Sequence, residues 1–374
     1  MKNGKMRAVG VLPGKRVVSL VSHPAPEIAS ASQVKIRTIE VGICGTDREI
    51  CSFAYGTPPD GSEFLVLGHE ALGEVVEVGA SASQFKVGDL VVPSVRRPCP
   101  HRACSPCQSD RQDFCFTGDF TERGIKMTHG FLTEYFVDEE RHLNLVPSEL
   151  RDVGVLVEPL TVAEKALAQV FQVQQRLPWE NLTAGKGKGY GKTAVVLGAG
   201  PVGILGCMTL LVNGFTTFVY SRSPAPNPKS DLVNSLGAKY ISAQTVPLGR
   251  FAAEVGPVDL VYEAAGVAQI SFDVMKLLAL NGIFVFTGIP AEKPAIPIDA
   301  DCLMRDLVLK NQVIIGTVNA DRPAFEGAIR DLGVFKRRWP EALGSLITGR
   351  YPIEAFEDLL LDKGAGIKSV ITLE

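Results

Sequence analysis

No apolar run in this 374-residue chain approaches the roughly 20 residues that a bilayer-spanning helix needs, so no membrane span is expected. Charge of one sign is equally scarce. The formal net charge of -3 offers no electrostatic footprint for nucleic acid and leaves small molecules as the expected partners. The N-terminal stretch MKNGKMRAVGVLPGKRVV is basic but lacks a continuous apolar segment before a small-residue cleavage site. No secretory leader is therefore expected, and the cytoplasm is the simplest compartment. Internal repeats and low-complexity tracts are also missing. In a reducing compartment the eight cysteines stay as thiols, so their clustering points to metal binding or catalysis before disulfides.

What remains is an ordinary globular composition, 46% hydrophobic and 21% charged, in a chain long enough for two cores. From residue 34 to about 95 the text is β-like, in VKIRTIEVGI, FLVLGHEALGEVVEVG and VGDLVVPSV. A polar, cysteine-rich lobe follows at 99–115, with too few apolar residues for a core of its own. DVGVLVEPLTVAEKALAQVFQ is helical in period, and WENLTAGKGKGYGK reads as a connector, which puts a boundary near residue 190. Beyond it, short apolar strands alternate with helical stretches: TAVVLGAG, ILGCMTLLVN, TTFVYSR, DLVNSLGA, VDLVYEAAG, FDVMKLLAL, GIFVFTG and QVIIGTV. Strands apolar throughout are expected where helices cover both faces of a parallel sheet. The expected class is α/β: a β-rich domain over 1–190, a doubly wound parallel sheet over 191–319, and a C-terminal return over 320–374 that ends in the strand IKSVITLE.

Gly198, Gly200 and Gly203, with Pro201 and Val202 between the last two, match G-x-G-x-x-G between the strand TAVVL and an apolar helix. In a dinucleotide site the first glycine permits the turn, the second lets the backbone approach a pyrophosphate, and the third allows helix and strand to pack closely. The alternative is an ordinary glycine-rich turn. The next strand ends at Ser221-Arg222-Ser223, where an NAD site would place Asp or Glu. A cation between two hydroxyls suits a 2′-phosphate, so NADP is preferred and NAD is the second possibility; a solvated loop arginine is the alternative. Thr287 and Thr317, at the ends of two later strands, and Asn319 are further candidates for cofactor contact.

Two sets of residues carry metal chemistry. Cys44, in Gly-Ile-Cys-Gly-Thr-Asp, is followed 25 residues later by His69 in Gly-His-Glu, and Glu158 interrupts an apolar stretch where a lone carboxylate is costly to bury. Thiolate, imidazole and carboxylate are all zinc ligands, and three of them leave a position for substrate. Taken singly, Cys44 and His69 read as core residues. With a dinucleotide motif downstream, they read together as a catalytic zinc site. Thr46 is placed to accept a hydroxyl proton, or to be satisfied by backbone at a strand end. Cys99, Cys104, Cys107 and Cys115 fall within 17 residues and read as a closed structural zinc site, with reduced thiols or disulfides as the alternative.

These residues together resemble the zinc-containing medium-chain alcohol dehydrogenase superfamily, and within it the glucose dehydrogenases of archaea. The specific stretches are GICGTDREI, FLVLGHEALG, the cysteine lobe through GDFTERGIKMTHGFLTEYFVD, and IIGTVNADRPAF. The resemblance implies a GroES-like catalytic domain, a Rossmann domain and a homodimer or homotetramer. It also implies that Cys44, His69 and Glu158 hold the catalytic zinc with Glu70 as an occasional ligand, and that Glu122 and Asn319 contact a sugar. Val95, Val162 and Leu309 depart from it, being apolar where the glucose enzymes place polar groups; the cysteine lobe departs too, with two extra residues between Cys99 and Cys104. Unpaired-donor penalties make such losses reshape specificity. A sugar hydroxyl at C1 of an aldose is thus weighed against a secondary alcohol, polyol or cyclitol, and against a zinc-free NADPH-binding protein of structural or sensory role.

Overall fold

A computed structural model of the chain describes residues 4–177, 187–291, 293–362 and 366–373. It divides into two units, 1–161 with 319–374, and 162–318. The first cut falls inside the helix Val157–Gln174, whereas the sequence placed a boundary near residue 190; residues 179–186 of the connector WENLTAGKGKGYGK lie outside the described residues.

The first unit is organised by the strand Gln33–Gly42. Its first half alternates, with Val34 and Ile36 buried and Lys35 and Arg37 turned outward, and from Thr38 every residue is buried. The change follows from pairing, since Glu70–Val78, Tyr135–Glu139 and Lys368–Thr372 all bond to it antiparallel. The complete order is Leu143–Val146, Leu90–Pro93, Glu70–Val78, Gln33–Gly42, Lys368–Thr372, Ile347–Pro352, with Tyr135–Glu139 as the seventh strand. The C-terminal return therefore supplies a strand to the middle of this sheet. Fully buried Val34, Ile36, Val41, Leu67, Val75 and Ile371 share one core, each contributing roughly 1.5–3 kcal/mol of transfer free energy. Two strands went unread in the basic N-terminus: Lys5–Leu12 pairs in register with Val17–Pro24, and Leu65–Val66 adds to its other edge.

The second unit is a six-stranded, wholly parallel sheet in the order Lys239–Ser242, Thr216–Ser221, Thr193–Leu197, Val258–Glu263, Leu278–Phe286, Val313–Gly316. Numbered along the chain this is 3-2-1-4-5-6, the doubly wound order, whose crevice opens where strand direction of travel reverses, between the first and fourth strands. FDVMKLLAL, expected to be helical throughout, is helical only to Met275; Leu278 begins the fifth strand because it pairs with Val258 across an irregular register.

Candidate active site and metal centres

The central strand Gln33–Gly42 delivers Cys44 to the start of the short helix Gly45–Cys51. Asp47, fully buried, reaches back from the first turn and accepts from the Cys44 N–H at 2.9 Å. Its other oxygen accepts from the Gly68 N–H at 3.3 Å and lies 3.4 Å from His69 Nδ1. One carboxylate thus ties the Cys44 turn to the His69 turn. Gly68 is required there, with φ of +89° and space so tight that a Cβ would lie 2.9 Å from Leu132 Cγ. A carboxylate on one imidazole nitrogen fixes the tautomer and leaves the other nitrogen to a metal.

Donor atoms of Cys44, His69 and Glu70 lie within 4.8 Å of one another. Glu158 is not in that set, although the charges of His69 and Glu70 both act on it. Burial lifts its carboxyl, His69 opposes and Glu70 adds, to about 7. Burial disfavours the His69 imidazolium, yet Asp47 and Cys44 hold its pKa well above the ordinary range. This clustering of a thiol, an imidazole and carboxylates around a shared point is the chemistry of a cation site, because a divalent ion satisfies all of them at once.

Sequence reasoning missed two residues here. Lys368, only 2% exposed, donates to Glu70 Oε2 at 2.5 Å and to the Ile43 carbonyl at 3.2 Å. Burial disfavours its charge, but the Glu70 carboxylate overrides this and raises its pKa. Nothing local in IKSVITLE marks it, since it meets Glu70 only through the C-terminal return. Burial raises the pKa of the Tyr55 phenol, while the nearby Thr46 hydroxyl and His69 lower it and Glu122 raises it further.

Glu122 and Asn319, far apart in sequence, are brought together. Asn319 Nδ2 donates to Glu122 Oε1 at 2.7 Å, with Asn319 in the left-handed region at φ of 62°. Val95 is buried at 4% exposure, Val162 is half-buried and Leu309 is 70% exposed.

In the lobe, all four cysteine sulfurs lie within 4.8 Å of one another, and the only buried apolar residues at 99–115 are cysteines. The two extra residues form a turn in which the Cys104 N–H donates to the His101 carbonyl at 3.0 Å. Burial drives the Cys107 thiol up to about 12, while at Cys115 hydrogen bonds from Thr117 and the Gly118 backbone outweigh burial and bring it to about 6. Four crowded sulfurs with no apolar packing suit a tetrahedral metal.

In the second unit, Gly198 turns at φ of +98° after the first strand, and Pro201, followed by Val202, opens the helix Pro201–Val212 next to the extended Gly200. A Cβ on Gly203 would lie 2.2 Å from the Gly198 carbonyl, whereas one on Gly200 would meet nothing within 4 Å. Gly203 is thus there for packing, and Gly200 leaves room at a helix N-terminus for a phosphate. Ser221 ends the second strand with Arg222 and Ser223 exposed beyond it. Thr287 donates from Oγ1 to the Glu263 carbonyl at 2.7 Å, while Thr317 Oγ1 is buried with no hydrogen-bond partner among the described residues. Glu263, 1% exposed and unread in the sequence, accepts from Ala265, Gly266 and Gly288 N–H groups at 2.7–3.2 Å and holds the loops after the fourth and fifth strands.

A family model described as glucose dehydrogenase C-terminus matches residues 151–373, and one described as alcohol dehydrogenase GroES-like domain matches 30–148. The chain is 35% identical over 372 residues to a glucose 1-dehydrogenase of Methanocella arvoryzae, covering 98% of this chain and 99% of the other. It is 36% identical over 370 residues to one from Thermoproteus tenax, covering 99% and 100%. A solved structure of Haloferax mediterranei glucose dehydrogenase in complex with NADP, Zn and gluconolactone superposes with a TM-score of 0.87 at 30% identity, covering 98% of this chain and 99% of that one.

Proposed function

This chain belongs to the glucose dehydrogenase branch of the zinc-containing medium-chain alcohol dehydrogenases, and from that premise we propose that it oxidises the C1 hydroxyl of an aldose to a lactone with NADP as hydride acceptor. The observation that carries this reading is the Glu122–Asn319 pair, a carboxylate and an amide with hydroxyl-binding capacity, in the same unit as the Cys44, His69 and Glu70 donor set. Zinc held by Cys44, His69 and a carboxylate supplies Lewis-acid chemistry to the substrate hydroxyl, and the nicotinamide supplies the hydride acceptor.

The chain's own residues do the rest. Thr46 Oγ1 takes the hydroxyl proton as it passes its own on, with the half-exposed Tyr55 hydroxyl as the next oxygen on the way to solvent. Lys368 holds Glu70 Oε2, and Glu158 is the second carboxylate within reach of His69. Glu122 and Asn319 orient the ring through its other hydroxyls. On the cofactor side, Gly198, Gly200, Pro201, Val202 and Gly203 cradle the pyrophosphate, Arg222 with Ser221 and Ser223 receives the 2′-phosphate, and Thr287 and Thr317 are the further cofactor contacts of that unit, with Asn319 a candidate contact from the other. Cys99, Cys104, Cys107 and Cys115 hold the structural zinc, which calls for a reducing compartment such as the cytoplasm. Met304, Val308 and Leu309, exposed on the helix that precedes the edge strand Val313–Gly316 in the chain, support a homo-oligomer.

The second reading, a secondary-alcohol, polyol or cyclitol dehydrogenase, is favoured by Val95, apolar and buried. Purified protein with NADP or NAD is given glucose, galactose, xylose, inositol and simple secondary alcohols, and nucleotide reduction is followed by absorbance. Reduction of NADP by an aldose in preference to the others is the expected result; turnover of cyclitols or simple alcohols alone transfers the assignment to the second reading.

A further inference from the structure

The cysteine lobe does more than close on itself. Arg96, 7% exposed, donates from Nε to Glu122 Oε1 at 3.0 Å and from a terminal nitrogen to the Asp113 carbonyl at 3.3 Å, inside the lobe. A second terminal nitrogen lies 3.0 Å from the same Glu122 oxygen, and the guanidinium stacks 3.7 Å over the Phe120 ring. Arg111, also in the lobe, pairs with the buried Asp113 carboxylate at 3.1 Å and with Asp321 at 3.1 Å. Asp321 stands two residues past Asn319 and caps the helix Arg322–Arg338 by accepting from the Ala324 N–H at 3.1 Å. Asn319 in turn donates to Glu122, which closes a ring: Glu122, Arg96, Asp113, Arg111, Asp321, Asn319.

We propose that this ring makes the cysteine lobe a positioning element for the sugar, with Arg96 and Arg111 as positioning residues that aim Glu122 and Asn319. The inference rests on the sugar reading given above. Three donors converge on a single oxygen of Glu122, so the carboxylate is held in one rotamer with its second oxygen left for a hydroxyl. Asn319 is held in a left-handed backbone conformation that costs free energy unless its surroundings impose it. Arg111 is the tie from the lobe to the segment that does so. A binding group left to find its own rotamer loses the advantage of preorganisation, and the loss falls on the ligand it binds.

The test uses zinc-loaded full-length protein and the variants Arg96→Gln, Arg96→Lys and Arg111→Gln. Dissociation of D-glucose from its dead-end complex with NADPH is followed by nucleotide fluorescence, alongside zinc content, NADPH affinity and turnover of a simple secondary alcohol. Arg111 is partly exposed, and because its variant also removes a partner of the buried Asp113 carboxylate, the zinc content reports whether the lobe stays intact. The expected result is glucose affinity weakened about tenfold or more in Arg96→Gln and a few-fold in Arg111→Gln, with Arg96→Lys between wild type and Arg96→Gln. Two zinc ions per chain, NADPH affinity and alcohol turnover stay at the wild-type level. Unchanged glucose affinity in Arg111→Gln and Arg96→Lys overturns the proposal, as does an equal loss for glucose and the simple alcohol. If wild-type protein itself binds no glucose beside NADPH, the sugar reading fails, and the inference falls with it.

Discussion

The two groups of metal-binding side chains in the first unit sit in opposite surroundings. Cys44, His69 and Glu70 are set into the main core, flanked by Val41, Ile43, Leu67 and Ala71, and their positions are fixed by strands that would form without them. Cys99, Cys104, Cys107 and Cys115 form an apolar cluster of their own, and the segment around them holds a four-residue helix and a single 3-10 turn. In the first case the fold makes the site. In the second the site makes the fold. Ligand type follows the same division: mixed donors with charged neighbours Asp47, Lys368 and Glu158 suit an ion that must exchange a ligand for substrate, and four thiols suit one that must not.

Changes to one group should therefore leave the other's property alone. The largest effect is expected for Cys104→Ser, which opens the four-thiol set: stability falls by more than about 4 kcal/mol, a drop of roughly 10 °C in Tm by calorimetry, with one zinc lost. Cys44→Ser should lower kcat/KM by on the order of a thousandfold while Tm moves by only a few degrees. Lys368→Met leaves the buried Glu70 carboxylate without its partner; a cost of about 3 kcal/mol in chemical denaturation is expected, with the lobe's zinc retained. Asp47→Asn should weaken zinc at the mixed site by about 10–100-fold, measured by competition with a chelator, and leave the four-thiol zinc untouched. A Tm loss in Cys44→Ser as large as that in Cys104→Ser would erase the distinction.

The parts of this arrangement that could be read from the sequence are those written in neighbouring letters. G-x-G-x-x-G between a strand and a helix, four cysteines in 17 residues, and a thiol and imidazole each following an apolar strand all carry their chemistry locally. The partners that orient them do not. Lys368 reaches Glu70 across 298 positions and is an unremarked polar residue in its own segment, while Asn319 and Glu122 are named by the resemblance but their pairing across 197 positions is not. Glu158 shows the converse: an acid in an apolar run was conspicuous in the sequence, yet it stands outside the tight donor set that Glu70 joins. The hairpin Lys5–Leu12 with Val17–Pro24 is masked in the sequence because basic residues and glycines dilute its valines. Arg96 and Glu122 pair as neighbours on two short strands that no periodicity announces.

The most direct test removes zinc stepwise from one sample by dialysis against a chelator and follows metal content, NADPH production from an aldose, and Tm together. Activity should vanish as the first equivalent leaves, with Tm little changed, and Tm should collapse as the second leaves. Activity and Tm falling in parallel from the first equivalent, or full activity at one zinc per chain, would contradict a division between an ion for chemistry and an ion for the fold.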